Sequence, residues 1–289
     1  WEQVALPIEA RHLDVLLNPG FTAPLLAACP MVTVFHDLQH LRQPQNFRWF
    51  DLPFWRLLLW GAAHRSAHVL ADSEATRDDV LGYYGLPAEK VTVAPLGVDA
   101  EFFGLARDPR PYLLTASTLH PHKNLEALLD AFAAFRRERP EFRLAIAGVR
   151  GFHTTALERR RAELGLERAV DFTGWIPRAD LVKLFAGAHA FVYPSRFEGF
   201  GLPVAEALAA GIPTACSRIP PLEAIAGDAA VLFDPDDPAA MAEAIRRVAT
   251  DEAVRARLAV EGPRRASAFT WERTARITLD ALEGAAGAG

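Results

Sequence analysis

Short apolar runs bounded by polar, glycine or proline positions recur along the chain and alternate with longer segments of helical periodicity. The runs predict strands near Asp14–Leu17, Met31–Phe35, His68–Ala71 and Val91–Ala94. A second series follows near Tyr112–Ala116, Arg143–Ala147, Val170–Thr173, Ala190–Tyr193, Pro213–Cys216 and Ala230–Phe233. Helices fill the gaps, most plainly Leu125–Arg139, where Leu125, Leu128, Leu129, Phe132 and Phe135 return to one face. Strand and helix in alternation predict parallel α/β sheets. The polar, Gly/Pro-bearing stretch from Gly97 to Arg110 separates the two series and reads as a domain boundary. No repeat of solenoid period is present, and the one biased tract is the Gly/Ala-rich tail from Gly284.

With 289 residues there is enough chain for two domains with full cores. A composition of 51% hydrophobic and 23% charged residues is globular. The net charge of −5 gives no basic field for nucleic acid as a bulk partner. Cys29 and Cys216 stand alone, outside any metal-spaced pair, and fit a reducing, cytoplasmic compartment as small buried hydrophobes. No run reaches the length of a membrane span. The nearest, Phe54–Ala63, is interrupted by Arg56 and reads as a core helix; the alternative makes it, with Trp49, Phe50 and Trp55, a surface that touches a bilayer or a partner. The latter leaves peripheral association at the inner membrane face open. The chain begins at Trp1, without methionine or signal peptide, so an upstream segment is expected.

The densest chemistry lies in Pro194–Glu206, after the apolar run Ala190–Tyr193. Gly199 and Gly201 remove side chains where a charged ligand group can approach the backbone, and Phe200 and Leu202 alternate with them. Pro203 then opens a short helix that Gly211 ends. Its first turn offers unpaired N–H groups to an anion. Glu206 is the only charged residue of this helix, and an unpaired buried carboxylate costs several kcal/mol, about enough to require a partner. Glu198 and Glu206, one in the loop and one on the helix, bracket space for a polyhydroxylated, phosphorylated ligand; the plainer reading makes them a surface acid and a dipole-stabilising acid.

Two further positions stand out. Lys123 precedes a helix start at which Asn124 reads as N-cap and Glu126 suits the first turn. A cation there opposes the helix dipole unless a bound phosphate reverses the sign; a solvated loop lysine is the alternative. His36-Asp37 follows the strand Met31–Phe35, at the carboxyl edge where open α/β sheets bind ligands. The pair His120-x-His122 is too sparse for a metal site. Val149-Arg150-Gly151, Ser217-Arg218 and Glu223 follow other strands and are candidates to line the same crevice.

Pro194–Glu206 resembles the Glu-x7-Glu signature of retaining glycosyltransferase family 4, a group of GT-B-fold enzymes that use nucleotide-sugars. Val170–Pro177, Leu184–Ala188, Ala226–Ala230 and Asp234-Pro235 agree in order and spacing. The resemblance implies an α/β fold of two Rossmann-like domains facing across a cleft. Residues 1–105 would form an incomplete acceptor-side domain and 106–268 the nucleotide-sugar domain. Residues 269–289 would be a helix crossing back, near Trp271–Leu282, followed by a tail.

By the same resemblance, a hexose, mannose favoured, passes from a nucleoside-diphosphate sugar to a hydroxyl of a glycan or lipid-linked saccharide, with retention. Glu198 and His36 would face the sugar, and Glu206 the ribose hydroxyls. Lys123, Thr118, Arg196 and Gly199–Leu202 would serve the rest of the donor. No cofactor and no metal are implied, because cations and a helix dipole meet the diphosphate charge. Two departures matter: Thr118 stands where many members have arginine, and His122 where arginine often precedes the lysine. A second cation would then come from Arg196, Arg150 or a protonated His122. A nucleotide-sugar epimerase, a glucan synthase and a non-catalytic nucleotide-sugar-binding fragment are the alternatives.

Overall fold

The structure, a computed structural model, describes residues 1–287. All ten apolar runs form strands: β1 Leu16–Asn18, β2 Met31–Phe35, β3 His68–Ala71, β4 Val91–Val93, β5 Arg110–Ala116, β6 Arg143–Ala147, β7 Val170–Gly174, β8 Ala188–Tyr193, β9 Thr214–Ser217 and β10 Val231–Phe233. Helices intervene as α1 Ala5–Glu9, α2 Gln39–Arg42, α3 Leu52–Arg65, α4 Glu74–Tyr84, α5 Leu125–Glu138 and α6 Thr154–Glu163. They continue as α7 Arg178–Gly187, α8 Leu202–Ala209, α9 Pro220–Ala226, α10 Pro238–Thr250, α11 Glu252–Ala266 and α12 Trp271–Gly287. β1 starts two residues later than its apolar run because pairing begins where Leu16 N–H donates to the Pro30 carbonyl at 2.9 Å.

The chain forms two compact units, Trp1–Gly97 with Thr270–Gly289, and Val98–Phe269. The boundary falls earlier than residue 105. Phe102 is fully buried against Phe185, ring centroids 5.0 Å apart, and Val98 N–H donates to the Phe269 carbonyl at 3.0 Å. These contacts give Val98–Leu105 to the second unit, although the stretch is polar enough to read as a linker.

In the first unit a parallel sheet runs β1-β2-β3-β4. Along β2 the side chains alternate between its faces. Met31 and Phe35 join Leu59, Ala62, Ala63, Val80 and Tyr84 from α3 and α4. Val32 packs with Leu70 and Ala94 against Ala285 of α12. The expectation of a core helix at Phe54–Ala63 is corrected. Its inner face is buried, but Phe54, Leu57 and Trp60 lie exposed on α3, beyond the reach of the sheet.

The second unit holds a parallel sheet of order β10-β9-β8-β5-β6-β7. From β5 the chain winds outward through β6 and β7, then returns to the other side of β5 as β8. The strand order therefore reverses between β5 and β8, and the loops after these neighbouring strands diverge from a crevice at their carboxyl ends. A core of Leu113, Leu144, Ile146, Ala190, Val192, Phe132 and Ile245 holds the sheet under α5 and α10.

Candidate functional site

The loop after β5 carries Lys123 and the loop after β8 carries Glu198, so the topological switch brings together two residues far apart in sequence. Lys123 Nζ lies 2.7 Å from Glu198 Oε1, and the two side chains are only 13% and 10% exposed. Lys123 also donates to the Tyr193 hydroxyl at 3.2 Å and sits 5.6 Å from that ring's centroid. Burial holds the Tyr193 phenol well above its ordinary pKa, reinforced by Glu198, so it stays protonated. Lys123 ends a single 3-10 turn, Pro121–Lys123. Asn124 does not cap α5 with its side chain as expected. It adopts a left-handed φ of 56°, and its Nδ2 donates to the Pro235 carbonyl at 2.9 Å.

Glycines let these loops close. At Gly148, φ is 152° and a Cβ would stand 1.9 Å from the Ser117 carbonyl oxygen, so Val149-Arg150-Gly151 presses on the loop that leads to Lys123. Leu119 N–H donates to the Val149 carbonyl at 3.2 Å, and Thr118 is exposed beside it. At Gly201, φ is 116° and a Cβ would meet Leu222 at 2.4 Å. Phe200 is buried edge-on to Phe269. α8 thus starts at Leu202 with no side chain capping it, and Pro203 has no N–H to satisfy.

Glu206 is buried on α8, at 6% exposure, among Val204, Ala205, Ala207, Leu208 and Ala209. Its partner is Arg178 at the first position of α7, with Nη1 3.2 Å from Oε1. Arg178 also pairs with Asp99 and Glu101 and lies over the Phe102 ring, 4.8 Å from its centroid. Burial pushes the Glu206 carboxyl up to about 7; Arg178 pulls it down, while Asp99 and Glu101 push it up further.

A protonated His122 is corrected as a source of positive charge. Burial, then the Lys123 and His120 charges, push its imidazole down to about 3. Its carbonyl instead anchors the signature loop, accepting from Arg196 N–H at 2.8 Å. Arg196 Nε reaches Asp236 at 2.7 Å, and Arg150 pairs with Glu158 at 3.1 Å. Ser217 Oγ donates to the Tyr193 carbonyl, and Arg218 pairs with Glu223.

In the first unit, His36 follows β2 and Asp72 follows β3. The imidazole bridges Asp72 Oδ2 at 2.8 Å from Nδ1 and the Pro19 carbonyl at 2.9 Å from Nε2. The Asp72 hydrogen bond raises the His36 pKa against the opposing effect of burial. Both nitrogens face acceptors, an arrangement that favours imidazolium. A group whose pKa is raised on folding stabilises below its unfolded value and loses that contribution as pH rises through the folded value. Asp72→Asn is therefore expected to lower the His36 pKa. Imidazole proton shifts followed by NMR against pH check this, and an unchanged titration would refute the assignment.

Arg178, Asp99, Glu101, Tyr193 and Asp72 were not legible as site residues in the sequence. Arg178 had a signal: it directly follows Pro177 at a helix start, where a cation opposes the dipole as Lys123 does. Among the described residues no group of three or more His, Cys, Asp or Glu converges as metal ligands would.

The family model of glycosyl transferases group 1 matches residues 99–265, and that of glycosyltransferase family 4 matches residues 4–102. O-antigen chain mannosyltransferase B of Escherichia coli is 28% identical over 267 residues, 87% of this chain and 70% of the relative. MMP alpha-(1->4)-mannosyltransferase of Mycolicibacterium hassiacum is 30% identical over 289 residues, 94% of this chain and 69% of the relative. The crystal structure of Anabaena HepE in complex with UDP and glucose superposes with a TM-score of 0.76 at 21% identity, covering 95% of this chain and 79% of that one. Two parallel-sheet domains of the GT-B type and a matching family model across more than half of the sequence place this chain in the group 1 glycosyltransferases. It is a mannosyltransferase-like, nucleotide-sugar-dependent glycosyltransferase of that family.

Proposed function

We propose that this chain transfers a hexose, mannose favoured, from a nucleoside-diphosphate sugar to a hydroxyl of a glycan or lipid-linked saccharide, with retention of anomeric configuration. The observation that carries the reading is the buried Lys123–Glu198 pair beside the uncapped start of α8. Without donor, each of these charges satisfies the other. A diphosphate at the α8 N-terminus competes for the ammonium. Its arrival frees Glu198 to face the sugar and offset the positive charge that develops at the anomeric carbon.

The acceptor hydroxyl oxygen bonds to that carbon, the bond to the diphosphate oxygen breaks, and the hydroxyl proton passes to the departing phosphate on the same face. Front-side attack makes no demand for the close nucleophile–acid pair of a retaining glycosidase. Lys123 and the helix dipole meet the diphosphate charge, so the proposal includes no metal. In this reading Glu206 accepts from the ribose hydroxyls, and His36 serves the sugar. The relatives' names favour mannose.

Thermal unfolding with UDP-, GDP- and ADP-sugars, followed by transfer assays, tests this. At a hundredfold excess over Kd the right donor stabilises by about 2.7 kcal/mol, a rise of several degrees in midpoint. GDP-mannose is expected to give that shift and an axially linked product detectable by NMR. No shift with any nucleotide-sugar, or an inverted product, would overturn the proposal.

A further inference from the structure

Guanidinium groups withdrawn from water are ordinarily matched by carboxylates, and two in the second unit are not. Arg107, in the stretch before β5, and Arg255, near the start of α11, are half-buried and face one cavity. Neither pairs with an acid among the described residues. Arg107 Nη1 donates to the Gly211 carbonyl at 2.5 Å and Nη2 to that of Ala188. Arg255 Nη1 donates to the carbonyls of His189 at 3.1 Å and Val248 at 2.5 Å. Carbonyl dipoles supply only partial negative charge, and each guanidinium keeps N–H groups that meet no acceptor among the described residues. One of these, the Arg107 Nε–H, is itself buried. Burial, and then the Arg255 charge, push Arg107 down to about 10, and burial pushes Arg255 down as well.

The cavity measures about 460 Å³, and its other walls are apolar, among them Leu105, Ala210, Pro213, Ala259 and Pro263. No acid lines it. Apolar walls with a few convergent polar groups, at a volume of this order, are the usual form of a small-molecule site. Pro109 precedes β5 and Pro213 precedes β9, so the cavity lies at the amino edge of the sheet. Lys123 and Glu198 stand on loops at the carboxyl edge, so the two sites are distinct. Every lining residue falls within 104–263, inside the stretch that the group 1 model matches. An apolar body suits the walls, and an oxyanion suits the two forks, which bind carboxylate and phosphate alike. A neutral ligand would leave the guanidiniums unmatched.

We infer that this cavity is a second ligand site, one that takes an amphiphilic anion: an apolar chain ending in a carboxylate or a phosphate. The inference goes beyond the transferase reading, and it is measured without donor or sugar transfer.

Calorimetric titration with octanoate and with octyl phosphate, against the neutral octyl glucoside, is the experiment. At least one of the anions is expected to bind, roughly tenfold or more tightly than the glucoside, and the two arms tell which head group the site takes. Arg255→Gln should weaken that binding about tenfold. Because Arg255 also holds two carbonyls, a second variant leaves both guanidiniums in place. Ala259→Glu lies at an exposed position four residues along α11 from Arg255 and brings a carboxylate onto the cavity wall. It should abolish anion binding while the unfolding midpoint stays at or above that of the parent. Binding of neither anion, or equal binding of the glucoside, would overturn the inference. So would parent-like binding in both variants, which would send the anion to the donor crevice instead.

Discussion

Glu198→Ala is expected to lower the initial rate of transfer by about two to three orders of magnitude while nucleoside-diphosphate affinity holds or tightens. On the proposed reading the two effects separate because Glu198 would have a different partner in each state. In the free protein it neutralises Lys123 at 2.7 Å in a nearly dry setting. Removing one partner of a buried pair costs about 3–5 kcal/mol, since the other charge is left uncompensated. The ammonium keeps the Tyr193 hydroxyl and ring, neither of which carries an opposing charge. A diphosphate then supplies what the carboxylate had supplied, so the variant should gain more thermal stability from nucleotide than the parent does. At the proposed transition state nothing would replace the carboxylate that faces the sugar.

Glu198→Gln keeps the shape and a hydrogen-bond acceptor for Lys123 but not the charge, and it should lose rate nearly as completely. Calorimetry with the nucleoside diphosphate, beside initial rates with the donor, reads the two arms. Equal losses of affinity and rate would make Glu198 a general binding residue. Full activity in Glu198→Gln would remove charge from the argument.

The strands were legible because a parallel strand buried on both faces must be apolar along nearly its whole length, as Leu113–Ala116 and Ala190–Tyr193 are. Pairs across the fold were less so. Lys123 and Glu198 each stood out on local grounds, yet only the reversal of strand order between β5 and β8 makes them neighbours. Tyr193 reads as one more core aromatic at a strand end, and its hydroxyl gains meaning only from the lysine opposite. Asp72 was hidden by its neighbour: Ser73 caps α4 by accepting from Thr76 N–H at 3.1 Å, which makes the whole Asp-Ser-Glu segment read as a helix start. Asn124 shows the opposite error. Its type suits a cap, but the left-handed backbone that it tolerates turns the side chain away from α5. α3 failed as a simple core helix because its apolar residues point in every direction, and periodicity alone does not say which faces the sheet can cover.

Arg178→Met is expected to weaken nucleotide binding near neutral pH about tenfold and to move its pH dependence toward alkali. Arg178 occupies the first position of α7, where the helix dipole disfavours a cation, and three carboxylates hold it there: Asp99, Glu101 and Glu206. Of these only Glu206 is buried and on α8, so the other two orient the guanidinium and the guanidinium orients Glu206. The charges facing Glu206 are then Arg178, Asp99 and Glu101, with the neutral Tyr193 phenol nearby.

The sign follows from the raised carboxyl, at about 7 in the folded protein. Its contribution to stability is fully present below the unfolded value near 4.5 and is lost as pH rises through about 7, so ionised Glu206 costs a few kcal/mol. Ribose hydroxyls that donate to the carboxylate, as proposed, would relieve part of that cost. Nucleotide affinity in the parent should therefore climb between about pH 6 and 8. Methionine keeps the apolar stem over Phe102 but removes the one cation that pulls the Glu206 pKa down, leaving Asp99 and Glu101 to push it up. The climb should then lie at higher pH, with affinity recovering in alkaline buffer. Arg178→Lys, which keeps a charge but not the fork that spans several carboxylates, should fall between the two. Calorimetric titrations from pH 6 to 9 decide it. A parallel loss at every pH would make Arg178 a structural strut, and Glu206→Gln with undiminished affinity would remove the ribose contact on which the whole dependence rests.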